Sequence, residues 1–256
     1  MAAAFSPAAV AQEQKWKRPV PTPADWAAIA KLPDFTGVWE VAPPARPGQG
    51  QGTVRPRGVT GAVAAPQLTP AYSVKAQLLA SQPKPEDNES ANCLPPGLPA
   101  IMGQPYPIEI LLTPGQVTIV SEAYTQVRHI YTDGRPLPND PDPTFFGTSI
   151  GHWEGDTLAV ESVGFAEVPR GLAFPYSSKM RILERFHLTD PDTLAVETTI
   201  VDPEALKEPY SMGTRTYKRH RNWTVAEYIC EENNRNFVND KGKAGINLAN
   251  PNASPR

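Results

Sequence analysis

The chain is short of cysteine, histidine and positive charge, and each shortage removes a class of function. Only Cys93 and Cys230 represent cysteine in 256 residues, too few for a cysteine-rich zinc site or a disulfide scaffold. The four histidines show neither H-x-H nor H-E-x-x-H spacing, so no metal site is expected. No serine sits in the strand-to-helix context of a nucleophile elbow, and neither cysteine has a neighbour that would mark it as a nucleophile. Lys and Arg number 24 against 27 Asp and Glu, a net charge of −3. That balance excludes the broad basic face a nucleic-acid partner needs. The one basic run, Lys218-Arg219-His220-Arg221, reads as a solvated hairpin end. No stretch reaches the roughly 18 apolar residues of a membrane-spanning helix. Gly48-Gln49-Gly50-Gln51-Gly52 has no strand before it and no helix after it, so it is not a dinucleotide loop.

What is present is a repeated phrase. Gly155-Asp156-Thr157-Leu158-Ala159-Val160-Glu161 returns as Pro191-Asp192-Thr193-Leu194-Ala195-Val196-Glu197. Each copy is a turn followed by alternating apolar and polar residues, the pattern of a half-buried strand. Strand-like runs continue from Ile108 to Thr113, Gln116 to Glu122, Thr125 to Thr132, Gly147 to Trp153, Thr157 to Val163, Lys179 to Leu188, Thr193 to Val201, Ser211 to Arg219 and Trp223 to Cys230. Pro114-Gly115, Asp133-Gly134 and Glu154-Gly155 supply turn chemistry between them. With an opening strand at Thr36 to Val41, the expected fold is all-β: an antiparallel meander of about ten strands curled into a barrel, with one or two short helices.

The expected organisation is one domain over residues 35–235. Residues 1–14 read as the remnant of a secretory signal, because Ala9-Val10-Ala11 before Gln12 resembles a cleavage site. Residues 15–34 form a Pro-rich arm with a short helix from Ala24 to Lys31, and 42–68 a mobile Pro/Gly-rich loop. Thr69-Pro70 opens a helix with Thr69 as N-cap. Its residues Ala71, Val74, Leu78 and Leu79 are expected against the barrel wall, closing one end. Residues 236–256 are a polar tail. In an oxidising compartment Cys93 and Cys230 would be bridged; in the cytosol they would be buried thiols.

Candidate chemistry comes from charges interrupting apolar rows. Met180, Ile182, Glu184, Phe186 and Leu188 share one face, and only Glu184 is charged. Trp223, Val225, Glu227 and Ile229 share another, broken by Glu227. A carboxylate facing such an interior is paired with a cation or has a raised pKa, and either state suits acid–base work. His152, at a hairpin mouth, is a candidate general base. Arg128 is placed to clamp a carboxylate or phenolate, or to pair with Glu122. Glu161 and Glu197 are expected to face solvent. The catalytic candidates are His152, Glu184, Tyr131 and Arg128; Tyr106, Glu122, His129 and Glu227 complete the set as substrate contacts.

Ala91-Asn92-Cys93-Leu94-Pro95-Pro96-Gly97, Pro105-Tyr106-Pro107-Ile108-Glu109, Gly151-His152-Trp153-Glu154-Gly155-Asp156-Thr157-Leu158 and Glu227-Tyr228-Ile229-Cys230-Glu231-Glu232-Asn233-Asn234-Arg235 together resemble a family of exported bacterial proteins abundant in sphingomonads and other soil bacteria. The resemblance covers about residues 34–235 and implies a lipocalin-like (calycin) barrel in the periplasm. It associates the chain with cofactor-independent lyases that release formaldehyde from lignin-derived aromatic dimers. The implied partner is a small aromatic molecule, and no cofactor is implied. His129 departs from the family's basic pair beside Arg128, so no catalytic role passes to it. The alternative is a carrier that binds such a molecule without changing it.

Overall fold

The computed structural model describes residues 20–42, 59–60, 63–81, 93–166, 172 and 174–230, with the backbone of 236–238 and 244–246. In chain order the elements are α1 (Pro23–Ile29), β1 (Gly37–Val41), β2 (Val59–Thr60), α2 (Pro70–Ser81), β3 (Ile108–Thr113), β4 (Gln116–Ser121), β5 (Gln126–Tyr131), β6 (Thr148–Glu154), β7 (Thr157–Val163), β8 (Arg181–Asp190), β9 (Thr193–Val201), β10 (Tyr210–His220), β11 (Asn236–Val238) and β12 (Ala244–Ile246). The signal-like residues 1–14 lie outside the described residues, as does most of the expected 42–68 loop. The part of that loop that is described is ordered by pairing: β2 joins β10, and Leu68 bridges Leu206.

The protein is an all-β barrel. Strands β1, β3, β4, β5, β6, β7, β8, β9 and β10 follow one another around it, β1 closes on β10, and β2 is an extra strand on β10. The ring has an odd number of strands, so they cannot alternate in direction all the way round. One neighbouring pair must run parallel, and it is β5–β6, matched at Ile130↔Ser149 and Tyr131↔Ile150. The connection 132–147 supplies the crossover a parallel pair requires. The meander is otherwise antiparallel, as the turn chemistry predicts. The two copies of the repeated phrase flank β8, where Phe186 meets Leu158 on one side and Val196 on the other.

Alternation fills the inside. Trp39, Ile108, Ile110, Val117, Ile119, Ile130, Leu158, Val160, Ile182, Phe186, Leu194, Val196, Ile200 and Tyr217 belong to one buried cluster. At one end the turn Ala100–Gly103 seats buried Ile101 and Met102 in the mouth, and the buried Tyr217 hydroxyl donates to the Met102 carbonyl at 2.5 Å. At the other end buried Phe35 packs on Trp153, ring centroids 5.2 Å apart. The expectation that α2 closes an end is corrected. None of its residues is buried, and Val74 and Leu78 are each 56% exposed; segment 93–107 does the closing instead.

The expected final strand from Trp223 to Cys230 is also absent: these residues have no regular structure. The reason is closure. One edge of β10 is taken by β9 and the other by β1 and β2, so no edge is left for another strand.

Candidate functional site

Arg128, Ser149, Ser162 and Glu184 come from β5, β6, β7 and β8 and meet inside the barrel. Arg128 is 3% exposed and Glu184 2%. The guanidinium grips the carboxylate with two nitrogens: Nη1 donates to Oε1 at 3.1 Å, and Nη2 donates to Oε2. Nη2 also donates to Ser162 Oγ at 3.1 Å, and Nε to Ser149 Oγ at 3.3 Å. The two serine hydroxyls bond each other at 2.7 Å. Tyr217 stands within reach of both charges. Burial pushes its hydroxyl up to about 12, against the opposing pull of Arg215. The bidentate fork satisfies both ions, as a buried pair requires. The sequence Gly147-Thr148-Ser149-Ile150-Gly151 spells G-x-S-x-G, yet Ser149 lies within a strand and bonds an arginine, so it is no nucleophile elbow.

The placement of Glu184 inside the barrel agrees with the alternating row; Arg128 joins it there, paired with Glu184 and not with Glu122. His152 and Tyr131 are corrected. Ser149 faces inward on β6, so His152, three residues on, lies on the outer face. Its side chain is 70% exposed, with Nε2 2.8 Å from Glu154 Oε1. On β5, Arg128 and Ile130 take the inner face, which turns His129 and Tyr131 outward. Tyr131 lies under the Arg135 guanidinium, 3.9 Å from its ring centroid, and His129 Nδ1 is 2.9 Å from Gln116 Nε2. Glu227 is exposed on the irregular segment that replaces the expected strand. The acid–base set expected in one cavity is therefore divided between the two sides of the wall.

A second cluster forms at the mouth. Cys93 and Cys230 are joined by a disulfide across 137 residues, their Cα atoms 5.5 Å apart. The bridge brings the C-terminal segment over the start of β3. There Tyr228 meets Tyr106 edge-on, ring centroids 5.1 Å apart, and Tyr124 at 5.2 Å. The Tyr228 hydroxyl is pushed up to about 12 by burial, then by the neighbouring phenols of Tyr124 and Tyr106, to which it is hydrogen-bonded. Glu122 Oε2 accepts from the Ala226 amide at 2.8 Å, and Thr125 Oγ1 donates to the Tyr228 carbonyl at 3.1 Å.

Backbone strain collects here. Among the described residues, Cys93, Tyr124 and Thr125 are the non-glycine residues at positive φ, with φ of 51°, 58° and 49°. Each such residue costs on the order of 1–3 kcal/mol, and such residues gather at functional sites. Of this cluster the sequence named Tyr106 and Glu122 but missed Tyr124 and Tyr228. The available signal was the disulfide, which carries the segment around Tyr228 to the one around Tyr106.

Three phenols packed against one another form a patch of donors and acceptors walled by aromatic faces. Such a patch suits an aromatic ring bearing an electron-rich oxygen. Comparison of the chain with protein-family models and with curated proteins found no match to either.

Proposed function

We propose that the protein is an exported, lipocalin-like barrel that binds a small phenolic aromatic molecule at the mouth formed by Tyr106, Tyr124 and Tyr228. The observation that carries this reading is the meeting of the three phenols in a strained, disulfide-tied setting. The interior ion pair supports binding over catalysis, because the two charges satisfy each other and the serines accept further guanidinium donors. The disulfide supports an oxidising compartment such as the periplasm.

A second reading is the carbon–carbon lyase, and the same trio favours it. In such a reaction the phenolate pushes out the α-substituent with its bonding pair, giving a quinone methide. Loss of the γ-hydroxyl proton then breaks the Cβ–Cγ bond, releases formaldehyde and returns the electron pair to the phenolate oxygen. The tyrosine hydroxyls would donate to that oxygen, and Glu122, already at the mouth and the carboxylate closest in sequence to Tyr124, would take the γ-hydroxyl proton.

Calorimetric titration with phenolic lignin-type dimers and their O-methyl ethers tests both. Binding should weaken about tenfold on O-methylation and again in Tyr228→Phe. Equal affinity for phenol and ether would overturn the mouth as a phenol site. Formaldehyde release, lost in Glu122→Gln, would select the lyase over the carrier.

A further inference from the structure

At the opposite end of the barrel, α1 spans the surface beside the β3–β4 hairpin and leaves a cleft of about 410 Å³ beneath it. Helix α1 begins as its sequence dictates. Pro23 sits in the first turn, Thr22 Oγ1 accepts from the Asp25 amide at 3.3 Å, and Asp25 Oδ2 accepts from the Thr22 amide at 2.7 Å. No residue of this helix is buried. A short helix is held in place by packing its apolar face, yet here Ile29 and, just beyond the helix, Leu32 are only partly buried and line the cleft with Leu112, Val117 and Trp153. Trp153 is also the ring that packs on Phe35 at the base of the core.

The lining carries two carboxylates, and both are engaged. Asp133 is held by Arg135, whose Nε donates to both its oxygens at 2.9 and 3.0 Å; Asp25 is held by Thr22. Arg135 neutralises Asp133, whereas the exposed Asp25 is held only by the uncharged Thr22 and keeps its charge; beside it the cleft offers an occupant the apolar side chains of Ile29, Leu32, Leu112 and Val117 and one indole. Its volume falls within the roughly 300–1,000 Å³ of small-molecule sites. We infer that this cleft is a second ligand site, separate from the tyrosine mouth, for a neutral, flat, apolar molecule that fills the gap between α1 and Trp153.

Titration of the full chain with the neutral fluorescent probe N-phenyl-1-naphthylamine tests this. One probe should bind per chain, with energy transfer from tryptophan that falls in Trp153→Phe. Ala28→Trp places an indole in the cleft from the helix side and should weaken binding about tenfold. Ala28→Ser, which leaves the cleft open, should bind like the native chain, and both variants should keep the native melting temperature. Tyr228→Phe, at the other end, should leave the probe's affinity unchanged. Absence of binding to the native chain, undiminished binding to Ala28→Trp, or loss of binding in Tyr228→Phe would each overturn the inference.

Discussion

Arg128 and Glu184 reach toward each other from β5 and β8 across the two strands between them, and both are almost wholly enclosed. Taking two ions out of water is costly, so the pair is tolerable only because its geometry is bidentate and the serines take up the remaining donors. Removing one partner strands the other. Glu184→Gln should lower unfolding free energy by about 3–5 kcal/mol, read from the denaturant midpoint. The double replacement Arg128→Met with Glu184→Leu should be much less damaging, because Ser149 and Ser162 still bond each other at 2.7 Å. Equal losses in single and double variants would contradict this account.

Tyr217 should help set the alkaline limit. Its proton is held more tightly in the folded chain, where the hydroxyl titrates at about 12, than at the ordinary value of 10.0. Its contribution is thus fully present below pH 10.0 and is lost as pH rises through about 12. The fall amounts to about 3 kcal/mol at 1.36 kcal/mol per pH unit. Tyr217→Phe should flatten the stability profile in that window, at the cost of the bond to Met102. An unchanged slope would mean that another group governs alkaline unfolding.

Reducing the Cys93–Cys230 disulfide should release the segment carrying Tyr228 before the barrel melts. In the chain-entropy description, cutting a loop of this length costs about 4–5 kcal/mol. Reduced protein should therefore show a lower denaturant midpoint and lose phenol binding while its far-ultraviolet dichroism persists. Retained binding would separate the disulfide from the mouth.

Gly97 holds the closing segment against the β5–β6 connection. Its φ is +69°, and an added Cβ would lie 2.5 Å from the Phe145 carbonyl oxygen, a backbone atom that also accepts from the Leu98 amide at 3.0 Å. Gly97→Ala should cost about 1–3 kcal/mol in thermal unfolding. A silent substitution would show that the segment moves aside freely.

The strands of the barrel were legible because period-2 rows with turns between them are a local signal. That signal gives Ile108–Thr113, Thr157–Val163 and Thr193–Val201 with the same limits as the structure. It also places Glu184 inside. It fails where closure decides. The alternating row from Trp223 has no edge to join, and α2 has apolar residues that the barrel end, already filled by Ile101 and Met102, does not receive. Which face of a strand points inward is likewise a global matter. Nothing within β5 or β6 alone says that Arg128, and not Tyr131, belongs to the interior. The tyrosine mouth was the least legible feature, because its members come from three separate segments, and only the one carrying Tyr228 is tied in by a disulfide.

His152 provides the sharpest contrast between its sequence context and its place in the fold. Its imidazole stands outside the barrel beside Glu154, whose carboxylate also accepts from Arg185 Nη1 at 2.8 Å. Those two partners, Arg185 first, hold the Glu154 carboxyl below its ordinary value. Exposed pairs of this kind contribute little to stability, and removing the imidazole leaves the Arg185 contact in place. His152→Ala should therefore leave the melting temperature, phenol binding and any formaldehyde release at native levels, whereas Tyr228→Phe should reduce the latter two. A loss of turnover in His152→Ala without a loss of stability would move the chemistry to the outer face of β6 and overturn the mouth as its location.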